Sequence, residues 1–206
     1  CHPLSDRLSV DDLDSLGATS RGAFLVGEGM GNDQASRCGM LRSRIKSMND
    51  EIQCCAGERL SGEARAACIA LIVEGGAVEL TKAEAGLPQA RVVAINLMGQ
   101  EIVGVGAIKR WNPQRASTLA GKSESPLDPC SHELGYIAVR EGFKGQKRSH
   151  RITATLLSKF QERPLFATTS NEYMKRTLRK AGFVQQGKEW MGNTEQLSLW
   201  IKNGDS

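Results

Sequence analysis

The stretch Tyr136-Ile-Ala-Val-Arg-Glu-Gly-Phe-Lys-Gly-Gln-Lys-Arg-Ser-His-Arg-Ile-Thr-Ala-Thr-Leu-Leu157 constrains this chain most. It reads as an apolar strand, a glycine-bearing basic turn and an amphipathic helix. Such a turn aims backbone N–H groups and a helix N-terminus at one point, which is how a chain holds a phosphate with few side chains. Lys144, Lys147, Arg148 and Arg151 add positive charge at the same place.

A second segment runs from Pro164 to Phe183. It reads as a strand, Leu165 to Thr168, and a helix opening at Ser170 or Asn171, residue types whose side-chain oxygens cap helices. Met174, Thr177, Leu178 and Ala181 recur at helical spacing. Gly182 stands where a left-handed residue closes a helix, and Phe183 can pack back on the last turn.

Together the two segments resemble the GNAT superfamily of N-acetyltransferases. The family's acyl-CoA loop has the form Arg/Gln-x-x-Gly-x-Gly/Ala, and Lys144-Gly-Gln-Lys-Arg-Ser149 occupies it. Lys147 stands where glycine is usual, and Ser149 is at the last position. The family's later half often reads Ala-Thr-Thr, then Asn, then a short helix ending Gly-Phe. Here that is Ala167-Thr-Thr-Ser-Asn171 through Gly182-Phe183. Upstream, Ala70 to Val78 and Ile102 to Lys109 are similar to the earlier helix and hairpin of one subgroup, so the resemblance spans residues 65 to 202.

The resemblance implies an α/β (α+β) fold: a central mixed, mostly antiparallel twisted sheet with splayed parallel strands, flanked by helices. It implies an N-acetyltransferase that passes an acetyl group from acetyl-CoA to an amine acceptor, a small molecule or a protein, by direct attack on the thioester. The thioester would lie between the splayed strands. Ile137, Ala138 and Val139 would pair with the pantetheine arm. The pyrophosphate would sit on the amides of Gly145, Gln146, Lys147, Arg148 and Ser149, beside Lys144. Asn171 either contacts the CoA arm or only caps its helix. Glu133 stands where the histone-acetylating branch has its catalytic glutamate, and in a partly buried cleft it is expected to have a raised pKa and act as general base. The other reading of Glu133 is a strand-end carboxylate in solvent. His132 would point to the opposite face of the strand.

The tyrosine that many relatives use to protonate the leaving thiolate falls on Leu178, and Tyr173 lies one turn earlier. These departures keep a second reading open, a catalytically weak CoA-binding regulatory or interaction module.

Composition narrows the partners. The 206 residues carry 27 basic and 23 acidic side chains, a net charge of +4, too mild to argue for nucleic acid. The excess gathers between Arg140 and Lys159 and over Lys175 to Lys180, where a CoA site would explain both; a solvated helix face also explains the second. No apolar run approaches a membrane span and no signal peptide is visible. The six cysteines (1, 38, 54, 55, 68 and 130) show no zinc spacing, and with histidine only at 2, 132 and 150 no metal is expected. The cysteines read as free thiols in a reducing, cytoplasmic setting, with a disulfide from the N-terminal part to the core as the alternative. A homodimer is compatible with all of this.

Residues 1–60 differ in texture from the expected acetyltransferase domain, 61–206. They read as a short helix within Leu4 to Leu16, a strand Gly22 to Val26, a flexible turn Gly27 to Gly31 and a helix Gln34 to Gln53. A helix Glu63 to Val73 follows, then a hairpin of Arg91 to Leu97 and Glu101 to Ile108 around Met98-Gly-Gln100. Trp111 to Cys130, polar and with three prolines, reads as a loop. Glu133 to Val139 is a strand, Trp190 to Asn193 a turn and Glu195 to Ile201 a closing strand.

Overall fold

The computed structural model describes residues 49–161 and 164–204, which belong to one compact unit, Lys46–Ser206. The helix, strand and turn expected before Gln34 lie outside the described residues, as does most of the helix expected over Gln34 to Gln53. The end of that helix is corrected: Asp50–Cys55 is a strand, β1, paired antiparallel with its neighbour from Asp50↔Met98 to Cys55↔Val93. The sheet therefore begins inside the segment grouped as 1–60.

After β1 come α1 (Gly62–Glu74), α2 (Leu80–Gly86), β2 (Val92–Met98), β3 (Glu101–Ile108), α3 (Pro113–Ser123), β4 (His132–Val139), α4 (Arg148–Lys159), β5 (Leu165–Thr169), α5 (Glu172–Lys180), β6 (Val184–Met191) and β7 (Gln196–Lys202). The seven strands are ordered β1-β2-β3-β4-β5-β7-β6. Every neighbouring pair is antiparallel except β4 and β5. This is the mixed, mostly antiparallel sheet expected.

Alternation along the strands divides the core between two faces. Val93, Ile95, Val105, Ala107 and Ala138 pack with Cys68, Leu71 and Ile72 of α1. Ala94, Ile108, Leu134 and Ala167 pack with Ile152 and Leu156 of α4 and Leu178 of α5. α4 lies close on the sheet because β3 offers it glycine: a Cβ on Gly106 would come within 2.5 Å of Ile152 and of Ile137.

The helix signals near the ends of α5 act as expected, and α1 is capped in the same way. The Ser61 hydroxyl accepts from the Ala64 amide at 3.2 Å, and the Asn171 carboxamide oxygen accepts from Met174 at 3.0 Å. α5 ends with Phe183 N donating to Leu178 O and Gly182 N to Arg179 O, Gly182 at φ +85°, and Phe183 buried.

Three other expectations are corrected. The supposed loop Trp111 to Cys130 holds α3. Pro113 there is not a breaker but the first helical residue, where its missing N–H costs nothing. Asn112 caps it at 3.0 Å, and Ala116 and Leu119 are buried three residues apart. Trp190 belongs to β6 rather than to a turn; β6 is an edge strand, mostly exposed, and so lacks apolar alternation. Cys54, Cys55 and Cys68 are free thiols, while Cys130 is disulfide-bonded, against the expectation of free cysteines. Among the described residues no helix is long and apolar enough to cross a membrane.

Ile152, fully buried between α4 and the glycines of β3, should be among the least replaceable core residues. Ile152→Ala should cost about 2–5 kcal/mol, read as a fall in the urea midpoint at unchanged slope.

Candidate active site

β4 and β5 pair in parallel at only two positions, His132↔Leu165 and Glu133↔Phe166. Beyond them β4 continues to Val139 and β5 to Thr169, and neither has a ladder partner on the side facing the other. The strands part into a wedge that opens toward the N-termini of α4 and α5. On its other edge β4 is bulged. Val105 is opposite Ala138 and Ala107 is opposite Gly135, so Tyr136 and Ile137 together face Gly106. Tyr136 takes a left-handed backbone, φ +55°, the local strain a bulge can hold. Ile137, Ala138 and Val139 thus form the β4 wall of the wedge, and their side chains are built into the core on either face.

At the mouth of the wedge lies the basic turn. A 3-10 turn, Glu141–Phe143, leads into Lys144, whose ammonium pairs with Glu141. Gly145 (φ +79°) and Lys147 (φ +59°, ψ 19°) are both left-handed, with Gln146 between them, and α4 starts at Arg148. Lys144 to Lys147 are exposed, and a Cβ on Gly145 would meet nothing within 4 Å. Left-handed residues just before a helix turn successive amides the same way, which makes a concave, positively polarised receptor for an anion. Lys147 is left-handed although it is not glycine. Arg148 departs from expectation: its amide is at the helix N-terminus, but its guanidinium turns inward and is buried.

Glu133 sits at the narrow end of the wedge and is buried, not the solvent-exposed alternative. Lys109 Nζ lies 3.1 Å from Oε1, and Arg115 reaches both carboxylate oxygens at 3.4 Å. Burial alone would push its pKa up. The charges of Lys109 and Arg115, and their hydrogen bonds, outweigh burial and bring it below the ordinary carboxylate value. The expected raised pKa is therefore corrected. Lys109 also stands 4.3 Å over the Tyr136 ring, whose hydroxyl donates to Lys82 O at 3.2 Å. Burial, then the Glu133 charge, raises the Tyr136 pKa and keeps its hydroxyl protonated. His132 faces the other way, buried with its ring centroid 4.7 Å from Phe160.

The remaining expected residues are placed simply. Asn171 uses its side-chain oxygen as a helix cap. Leu178 is fully buried, and Tyr173 is an exposed surface residue with Arg176 beside its ring. A crevice of about 470 Å³ runs between α4 and α5, lined by His150, Leu157, Thr177, Lys180 and Lys202 among others; it lies alongside the helices rather than between the parted strands. Among the described residues no three His, Cys, Asp or Glu gather as a metal site. Lys109, Arg115 and Tyr136 carried no sequence signal, because each matters only through contacts with residues distant in the chain.

A depressed carboxylate pKa contributes stability above the unfolded-state value, and that contribution disappears as pH falls through the folded-state value. Native Glu133 should therefore exceed Glu133→Gln in stability by a constant margin from neutral pH down to about 4.3. The margin should then shrink on further acidification, as read by denaturation midpoints over a pH series.

No protein-family profile matches the chain, and no curated protein does. Solved structures do. A GNAT-family acetyltransferase from Streptococcus agalactiae superposes with a TM-score of 0.59 at 13% identity, over 75% of this chain and 96% of that one. An acyl-CoA N-acyltransferase from Pseudomonas aeruginosa gives 0.57 at 12%, over 75% and 99%. A GNAT-family acetyltransferase from Elizabethkingia anophelis with acetyl-CoA bound gives 0.51 at 15%, over 75% and 98%. With this sheet order, the parallel β4–β5 pair and these superpositions, the chain has the GNAT fold.

Proposed function

We propose that this chain is an acetyl-CoA-dependent N-acetyltransferase acting on a small-molecule or protein amine. The observation that carries the reading is the wedge between β4 and β5, with the left-handed turn Gly145–Lys147 at its mouth. The residues present suit acetyl-CoA: exposed amides and lysines for a pyrophosphate, an unpaired strand edge for an amide-bearing arm, and open space above Gly145. Acetyl-CoA supplies a thioester whose carbonyl carbon is attacked by an unprotonated amine, the C–S bond breaking and the thiolate taking its proton from water.

In this reading Ile137, Ala138 and Val139 pair with the pantetheine arm, and the amides of Gly145 to Ser149 receive the pyrophosphate with Lys144 and Lys147 beside it. Such positioning supplies much of the rate of an acyl transfer. Asn171 acts through the helix it caps. Glu133 receives the amine proton through water. Its ion pairs keep it ionised and weakly basic, so the acid limb of the rate profile belongs to the acceptor amine. Leu178 puts no hydroxyl at the position of the usual tyrosine, which suits a leaving group stable enough for solvent to protonate. The buried Leu178 and the doubly paired Glu133 also favour the second reading, a CoA-binding module with weak or no turnover.

Acetyl-CoA at a hundredfold excess over its Kd should raise stability by about 2.7 kcal/mol, measured as a melting shift. Gly145→Asp should abolish the shift, because it places a carboxylate where the phosphate would lie and strains a left-handed backbone. No shift with the native chain overturns acetyl-CoA as the ligand. A shift without acetyl transfer to any of a broad amine panel selects the binding-module reading.

If turnover is found, Glu133→Gln should lower kcat by about 10² to 10⁴ with acetyl-CoA affinity nearly intact. A kcat within about threefold of native would remove Glu133 from the proton path, since a lost base costs far more.

A further inference from the structure

Arg148 is the first residue of α4 and follows a turn bearing two exposed lysines, where an arginine would ordinarily reach outward for an anion. Instead its side chain is 2% exposed and every polar edge of it is used. Nη1 donates to Asp50 Oδ1 at 2.8 Å and to Asn96 Oδ1 at 2.7 Å. Nε and Nη2 donate together to Gln146 Oε1, at 3.2 and 3.0 Å. The Phe143 ring lies 5.1 Å from the guanidinium carbon. Asn96, fully buried on β2, donates in turn to Asp50 Oδ1 at 2.7 Å and to Glu51 O at 3.0 Å. Arg151 Nη1 takes the other Asp50 oxygen at 2.5 Å.

Thus β1, β2, the start of α4 and the basic turn are joined at one guanidinium. The turn enters this network through Gln146, the residue between left-handed Gly145 and left-handed Lys147. A non-glycine residue keeps a left-handed backbone only where its surroundings over-determine it. The two-pronged grip on Gln146 is such a determinant, and it acts on the neighbour of the strained residue. Asp50 neutralises the buried charge, so the grip does not draw Arg148 toward a ligand.

We propose that Arg148, anchored by Asp50 and Asn96, is a positioning residue that holds the Gly145–Lys147 turn in its anion-receiving conformation through Gln146. This deepens the acetyl-CoA reading and rests on it for the identity of the anion, but the hold on the turn itself is a property of the ligand-free chain. Arg148 replaces a glycine's conformational freedom at Lys147 with a fixed contact one residue away.

Four variants test it: Arg148→Met, which removes the fork and nearly keeps the volume; Gln146→Ala, which removes the exposed end of the contact and carries little folding risk; Lys147→Gly, since glycine holds the left-handed position unaided; and Arg148→Met combined with Lys147→Gly. Two measurements are made on each: backbone NMR order parameters of Gly145 to Ser149 without ligand, and Kd for acetyl-CoA and for S-acetylpantetheine, which lacks the pyrophosphate.

Arg148→Met and Gln146→Ala should lower the order parameters of the turn and weaken acetyl-CoA by about tenfold or more, the scale of a lost hydrogen bond to a charged group. S-acetylpantetheine should bind within about twofold, because the turn does not touch it, well under the tenfold step. Measured against Lys147→Gly alone, which already lacks the lysine charge, Arg148→Met should cost little further acetyl-CoA affinity. Unchanged order parameters in folded Gln146→Ala overturn the proposal. So does an equal loss of both ligands, or an undiminished cost of Arg148→Met beside Lys147→Gly, either of which would make Arg148 a core residue only. If the native chain binds no acetyl-CoA while the order parameters of the turn still fall in the variants, the acetyl-CoA reading falls and the hold on the turn stands.

Discussion

The organisation of this protein depends on the parallel ladder between β4 and β5 ending after Glu133. Each strand is well supported on its far side, β4 by β3 and β5 by β7, so the sheet survives the interruption. What remains between them is an unpaired strand edge in a folded interior. Backbone donors and acceptors there need partners from a ligand or from water. The bulge at Tyr136 works in the same direction by taking Ile137 out of register with β3. α4 and α5 both begin at the wide end of the wedge, so their N-terminal amides and the lysines of the turn share one region.

Two ion clusters flank this wedge and solve different problems. At the narrow end one carboxylate, Glu133, faces two cations, Lys109 and Arg115, which leaves the carboxylate ionised and a surplus of positive charge around it. At the mouth one carboxylate, Asp50, again faces two cations, Arg148 and Arg151. Burial would raise the Asp50 pKa, but the hydrogen bonds of Asn96 and Arg151 and the charge of Arg148 lower it. The first cluster adjusts the chemistry available to an acceptor. The second ties the sheet edge to the turn. In both, removing one member would strand a buried or half-buried charge, which is why such groups come as sets.

Much was legible because it is local. The basic turn, the cap at Asn171, the closure at Gly182-Phe183 and the hairpin at Gly99 each depend on residues within a few positions of one another. α3 was hidden because Pro113, read as a breaker, is the favoured first residue of a helix. β6 was hidden because an exposed edge strand has no buried face to impose alternation. The strand at Asp50–Cys55 was hidden because apolar residues at helical spacing can also be shared between a strand and what precedes it.

The sequence by itself determined the fold class, the position of the turn and the absence of a tyrosine at residue 178, since these follow from local pattern and from residue identity. Only the tertiary structure decided the state of Glu133 and the direction of Arg148. Glu133 was expected to have a raised pKa from burial, yet Lys109, just past β3, and Arg115 of α3 approach it and reverse the shift. The Arg148 side chain was expected to add its charge at the turn, yet Asp50 and Asn96, 98 and 52 positions away, draw it inward. Electrostatic energy depends on distance in space and on burial, and neither is written in the spacing of residues along a chain.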